Sequence, residues 1–289
     1  MIYLENNFIK ASFSPEGAEL QSLINKHNGT NYLWSGNKDF WGKFSPVLFP
    51  IVGGLKDNTY YFEDVPYHLS RHGFARDSKF TTSKMSESEV IFSLTETAGT
   101  MKNYPFKFNL EVSYKLEKNV LKCNYCVENT SDRTNMFFSI GGHPAFSVDV
   151  NEQVDYSDYY LKFNADEELI YHKIYNDLIS DEIDKIKLDG RKLPLAYELF
   201  YNDALVFKSL KSNQISLRNN KNSNQLDFNF EDFPYFGIWA AKNANFICLE
   251  PWCGIADTES HNQNLISKEG IRSLGPTEKF TRTWSVSLT

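Results

Sequence analysis

One stretch constrains the fold more than any other. Phe106, Phe108, Leu110, Val112, Tyr114 and Leu116 alternate with Lys107, Asn109, Glu111, Ser113 and Lys115. A period of two sends each set to one face of a strand, and the pattern marks a strand with one buried and one wet face. Glu117-Lys118-Asn119 turns it, and residues 120–127 return as an antiparallel partner. Near the C-terminus Phe280, Trp284, Val286 and Leu288 fall on one face in the same way. Shorter strand patterns occur at 8–13, 20–24, 32–34, 46–52, 90–94, 205–210, 215–217, 226–230 and 236–240. Residues 60–62 and 65–69 flank a turn at Glu63-Asp64, as in a hairpin. Helical periodicity is scarce. The acidic, poorly patterned span 151–191 reads as an insertion of loops and short strands with one helical turn. No repeat, linker or low-complexity tract divides the chain. The expected fold is all-β: one domain over residues 1–289, a large antiparallel β-sandwich with few short helical turns.

Composition supports that reading and excludes some functions. With 41% hydrophobic and 23% charged residues the chain can build a large core. Its 23 Phe and 16 Tyr favour strands over helices. The formal charge of −7 argues against nucleic acid or an anionic membrane as partner, since both require a basic face. The N-terminus carries no signal-peptide pattern and no apolar run is long enough to span a bilayer, so the expected location is the cytoplasm. The Cys123/Cys126 pair has C-x-x-C spacing, but on a strand residues three apart point to opposite faces. Ordinary reduced thiols are the expectation.

Three stretches hold the candidate chemistry. Residues 136–146 read Met-Phe-Phe-Ser-Ile-Gly-Gly-His-Pro-Ala-Phe. A strand ends at two glycines, and Pro144 pushes His143 toward an extended conformation. A histidine held there is placed for proton transfer, although a turn histidine capping a strand satisfies the same pattern. In Phe246-Ile-Cys-Leu-Glu250-Pro-Trp252 a mostly apolar strand delivers a carboxylate at its end. Buried, Glu250 requires a partner; at a junction with a loop it is a surface residue. Trp252 faces the same way in extended chain, where a flat ring suits the apolar face of a sugar or fills a core. Trp34, Trp41, Trp239 and Trp284 read as core. Arg71-His72-Gly73-Phe74-Ala75-Arg76 places a histidine between two arginines, whose donor forks suit anions and sugar hydroxyls. His27, His68, His172 and His261 carry no comparable setting. Two histidines and a glutamate admit a metal site on His72, His143 and Glu250. They equally admit paired acid and base without metal. Neither histidine has an acid within two residues, which favours the second.

Together these motifs resemble the aldose 1-epimerase (galactose mutarotase) family, in the bacterial branch related to lactose-operon proteins. The resemblance runs through Gly17-Ala18-Glu19-Leu20, Tyr32-Leu33-Trp34 and Pro46-Val47-Leu48-Phe49-Pro50-Ile51-Val52-Gly53, then His72-Gly73-Phe74-Ala75-Arg76 and Tyr104-Pro105-Phe106. It continues through Gly141-Gly142-His143-Pro144-Ala145-Phe146, Asn202-Asp203-Ala204-Leu205 and Leu249-Glu250-Pro251-Trp252. It implies the family's large β-sandwich and interconversion of aldose anomers without a cofactor. It implies Glu250 as the base at the anomeric hydroxyl, His143 as the acid at the ring oxygen, and His72 and Asp203 as sugar-binding residues. Trp252 and Arg76 complete the expected substrate contacts. Many relatives carry an arginine directly after the Ile-Val-Gly run; here that position is Gly54, followed two residues on by Lys56. Arg76, helped by Arg71 or Lys56, is then the expected contact for a phosphorylated sugar. The expected partner is a sugar or sugar phosphate acted on by a monomer or weak homodimer, with no metal. A carbohydrate-binding sandwich without activity and a metal-dependent sugar isomerase or oxygenase are the rival readings. For the acid–base reading the expected acid limb of the pH profile is Glu250 protonation and the alkaline limb His143 deprotonation.

Overall fold

The alternating stretch forms strand Phe108–Glu117, buried at every second residue. It turns at Lys118, where φ is positive, and pairs with Val120–Asn129 in antiparallel register from Glu117↔Val120 to Phe108↔Asn129. The computed structural model describes residues 1–289, and these two strands sit inside a nine-stranded sheet. Strand Lys279–Leu288 lies between Val120–Asn129 and Leu226–Asn229 near the middle of that sheet. Helix is confined to six short 3-10 turns. No helix is long and apolar enough to cross a membrane.

An eight-stranded sheet opposes the first. Its path runs Leu178–Lys187, Glu168–Tyr175, Leu205–Phe207, Tyr235–Trp239, Phe246–Cys253, Ile140–Gly142 and Val47–Leu48, with Ala145–Ser147 pairing beside it on Phe246–Cys253. Aromatic rings stitch the two sheets together. Phe228 of the nine-stranded sheet lies 5.7 Å from Phe146 and 6.2 Å from Phe236, both of the eight-stranded one, and 5.3 Å from Trp284 of its own. The resulting apolar cluster contains 70 buried residues. Burial of this extent is the dominant favourable contribution to folding, at about 25 cal/mol per Å² of apolar surface removed from water.

Three expectations change. The span 151–191 has its one helical turn, Tyr156–Asp158, and a short strand, Tyr159–Phe163, but it also holds Glu168–Tyr175 and Leu178–Lys187, a long hairpin at the edge of the eight-stranded sheet. Its residues are mostly exposed on both faces, so neither apolar alternation nor a continuous apolar run exists to reveal it. The segment 46–52 supplies only Val47–Leu48, because Pro46 and Pro50 lack the N–H that a ladder needs. Residues 32–34 hold a single bridge rather than a strand, Leu33 with Phe146. The four cysteines are free thiols, with Cys123 buried and Cys126 half-buried on alternating faces.

Candidate active site

The sheet of eight strands positions the candidate residues. Ile140–Gly142 pairs with Phe246–Cys253 on one side and Val47–Leu48 on the other, and His143 follows it at once. The His143 amide donates to the Pro46 carbonyl at 3.1 Å, which fixes where the ring leaves the backbone. Glu250 does not stand at a strand end as expected. Phe246–Cys253 runs through it, and Glu250 lies opposite Gly237 in the interior of the ladder. It is 2% exposed and His143 is 7% exposed, so neither is a surface residue. The partner a buried carboxylate requires is His143 itself: Nε2 lies 3.2 Å from Glu250 Oε2.

A cavity of about 320 Å³ opens over this pair. His72, Arg76, Asp203 and Trp252 line it together with His143 and Glu250. The six residues singled out in the sequence thus surround one space, though they come from distant parts of the chain. Two tryptophans assigned to the core line it as well. Trp41 stacks on His143 with centroids 4.9 Å apart, and Trp239 meets it edge-on at 5.8 Å. The indole of Trp252 fits a slot made by two glycines on the flanking strands. A Cβ on Gly141 would lie 2.7 Å from Trp252 Cδ1, and one on Gly237 would lie 2.4 Å from Cη2. Trp34 and Trp284 are core residues, as expected.

His72 is held in the left-handed region at φ 71°. Its backbone N–H donates to the Gly53 carbonyl, and the Gly53 N–H donates to its Nδ1 at 3.1 Å. Arg71 Nε–H is aimed at the other ring nitrogen, Nε2, at 3.2 Å. Donors therefore face both ring nitrogens, and a neutral imidazole can accept fully from only one of them. Arg71 lines the pocket as the sequence suggested, whereas Asp177 is a charged lining residue that no sequence motif pointed to. Arg71 bonds Asp177 Oδ1 from Nη1 at 2.5 Å and lies 3.8 Å from Asp203 Oδ1. Lys56 takes no part: its ammonium donates to the carbonyls of Glu259 and His261.

Charge in the pocket is strongly perturbed. Burial pushes Glu250 well above the usual carboxylate range, while Arg71 pulls it down. Burial depresses His143, and Arg71 adds to the effect. His72 is depressed by burial and then by Arg71. Both directions disfavour the charged forms of the two side chains. His143 Nδ1, Trp252 Nε1 and Arg76 Nε are buried without a hydrogen-bond partner. Cys248, two residues before Glu250, completes a group with His143 and Glu250 whose ligand atoms lie within 4.8 Å of one another. His72, the third ligand of the metal reading, is outside that group. Burial raises the Cys248 thiol well above its ordinary value.

The family model described as aldose 1-epimerase matches residues 1–266. The chain is 31% identical over 296 residues to the chromosomal LacX protein of Lactococcus lactis subsp. lactis, across 99% of each sequence. The galactose mutarotase related enzyme of Lactobacillus acidophilus is 34% identical and superimposes with a TM-score of 0.94, over 100% of this chain and 97% of that one. A galactose mutarotase-like protein of Lactobacillus casei ATCC 334 is 31% identical with a TM-score of 0.92, over the full length of both.

Proposed function

The chain belongs to the aldose 1-epimerase family, and from that premise we propose that it interconverts the α and β anomers of a hexose or hexose 6-phosphate by acid–base catalysis. The observation that carries the reading is the buried 3.2 Å contact between His143 Nε2 and Glu250 Oε2 beneath a pocket lined by aromatic rings and arginines. Anomerisation needs one proton removed and one delivered a few ångströms apart, and this pair holds one proton between two such groups.

Glu250 as carboxylate takes the proton from O1. The O1 electrons form the C1=O1 double bond, the C1–O5 bond breaks, and O5 takes the proton of His143. Rotation about C1–C2 presents the other face of the aldehyde, and the same steps run backwards. The form with the proton on Glu250 and the productive form, with it on His143, differ only by a transfer across their 3.2 Å contact. Both hold one proton, so their ratio does not change with pH. The Arg71 fork offers donors to sugar hydroxyls, His72 lends a polar ring held by Gly53 and Arg71, Asp203 offers an acceptor, and Trp41, Trp239 and Trp252 offer flat apolar surface. The cavity of about 320 Å³ is within the usual range for a small ligand.

The direct test is NMR exchange or polarimetry on freshly dissolved α-glucose, α-galactose and glucose 6-phosphate. Acceleration by the protein and its loss in Glu250→Gln are expected. A folded protein that binds these sugars without accelerating anomerisation favours the binding-module reading. Prolonged chelation is expected to leave the rate unchanged. A rate lost on chelation and restored only by added metal overturns the acid–base reading.

A further inference from the structure

The edge hairpin that the sequence concealed reaches the pocket with its tip. Strands Glu168–Tyr175 and Leu178–Lys187 are joined through Asn176 and Asp177, both at positive φ (50° and 66°), the conformation of a tight two-residue turn. Ile174 and Ile179 on either side of the turn line the cavity, and so does Asp177. The tip is seated on Gly54. A Cβ there would lie 2.7 Å from the Asp177 carbonyl oxygen and 3.1 Å from the Asp177 Cβ, so any larger residue at position 54 would lift the turn away. Seated in this way, the Asp177 carboxylate meets Arg71 at 2.5 Å, while Asp203 lies 3.8 Å from the other arm of the same guanidinium.

The charges of the pocket then close on themselves. Two cations, Arg71 and Arg76, face two anions, Asp177 and Asp203. The His143–Glu250 pair with its one proton adds nothing to the sum. A neutral polyol can exchange hydrogen bonds with these groups without disturbing the balance. A phosphate that reaches Arg71 must displace a carboxylate and approach Asp177 as a like charge, and the other cation, Arg76, already faces Asp77 at 3.5 Å.

We propose that Asp177 is a specificity-determining residue: by occupying the Arg71 guanidinium it makes the pocket prefer uncharged aldoses to their phosphate esters. The proposal rests on the reading of the pocket as an aldose site. Asp177 acts through Arg71, so it is a positioning residue whose signature is a change in selectivity rather than a uniform loss of rate.

The experiment measures kcat/KM for anomerisation of glucose and of glucose 6-phosphate in the wild type, Asp177→Asn, Asp177→Ala and Asp177→Glu. The wild type should favour glucose. Both Asp177→Asn and Asp177→Ala should raise the ratio for glucose 6-phosphate over glucose about tenfold, the lower end for a charge contact because the Asp177 side chain is 56% exposed. Asp177→Glu should return the ratio toward the wild-type value. The shift should shrink in high salt, as screening removes an electrostatic preference. A wild type that already prefers glucose 6-phosphate, or a ratio unmoved by both neutral substitutions, overturns this proposal and leaves the mutarotase reading intact. A wild type inactive on both sugars and on galactose overturns both.

Discussion

At the scale of single residues, the decisive quantity is where one proton rests. The residue types alone suggest that Glu250 sets the acid limb of the pH profile and His143 the alkaline limb. Burial reverses that order, because it raises the carboxylic acid and depresses the imidazole. The active form carries one proton on the pair. A second proton must enter the depressed His143, so the rate falls at low pH as His143 becomes charged. The one proton is lost only above the raised Glu250 value, so the rate falls at high pH as Glu250 ionises. Arg71, Arg76, Asp203 and His72 surround the pair and modulate both limbs. Glu250→Gln and His143→Asn should each lower kcat about 10²–10⁴-fold with the fold intact. The residual rate of Glu250→Gln, which needs His143 protonated, should fall as pH rises through the depressed His143 value, and that of His143→Asn, which needs Glu250 ionised, should rise with pH toward the raised Glu250 value. A residual Glu250→Gln rate that holds up to the ordinary imidazole range would restore the order suggested by residue type. The double variant should be little worse than the poorer single one, since the two act as a unit. His143 and Glu250 were legible because each interrupts an apolar run. Trp41 and Trp239 were not, since an indole that lines a pocket and one that fills a core have the same sequence surroundings.

At the scale of elements, the site depends on strands that are locally thin. Gly141 and Gly237 stand opposite Trp252 and Glu250 across their ladders, and together they admit the Trp252 indole edgewise. Gly237→Ala puts a methyl group within 2.4 Å of the ring, which must turn toward the cavity. Overpacking of this kind costs about 1–3 kcal/mol, read from the denaturant midpoint. KM for the sugar should rise at least as clearly as kcat falls. Unchanged kinetics in the destabilised variant would show that Trp252 does not touch the substrate. The pairing of glycines with an indole was not visible in sequence, because cross-strand register is set by the ladder and not by chain neighbours. The hairpin tip at Asp177 was hidden for a related reason. An exposed edge strand such as Leu178–Lys187 is rich in charge, which protects the edge and erases the alternation that reveals strands.

At the scale of the molecule, the fold was legible where one face of a strand meets the core. The alternation at 106–116 matches the burial of Phe108–Glu117 residue by residue, and Trp284, Val286 and Leu288 lie inside as their spacing requires. The pairing of the two sheets was not legible, since rings such as Phe228 show no sequence sign of which sheet they will meet. Phe228→Ala should cost about 3–5 kcal/mol in urea unfolding, as it removes a ring touching both sheets. The anomerisation rate per folded molecule should change little, because Phe228 does not line the pocket. A loss below about 1 kcal/mol would mean that the neighbouring rings collapse into the space. The position of Lys279–Leu288 has a consequence for biosynthesis. That strand joins Val120–Asn129 to Leu226–Asn229, so until its residues leave the ribosome the larger sheet exists as two pieces with raw edges. The larger sheet can therefore close only once residues 279–288 have been made, well over a hundred residues after Val120–Asn129, and the edges of both pieces stay unpaired until then.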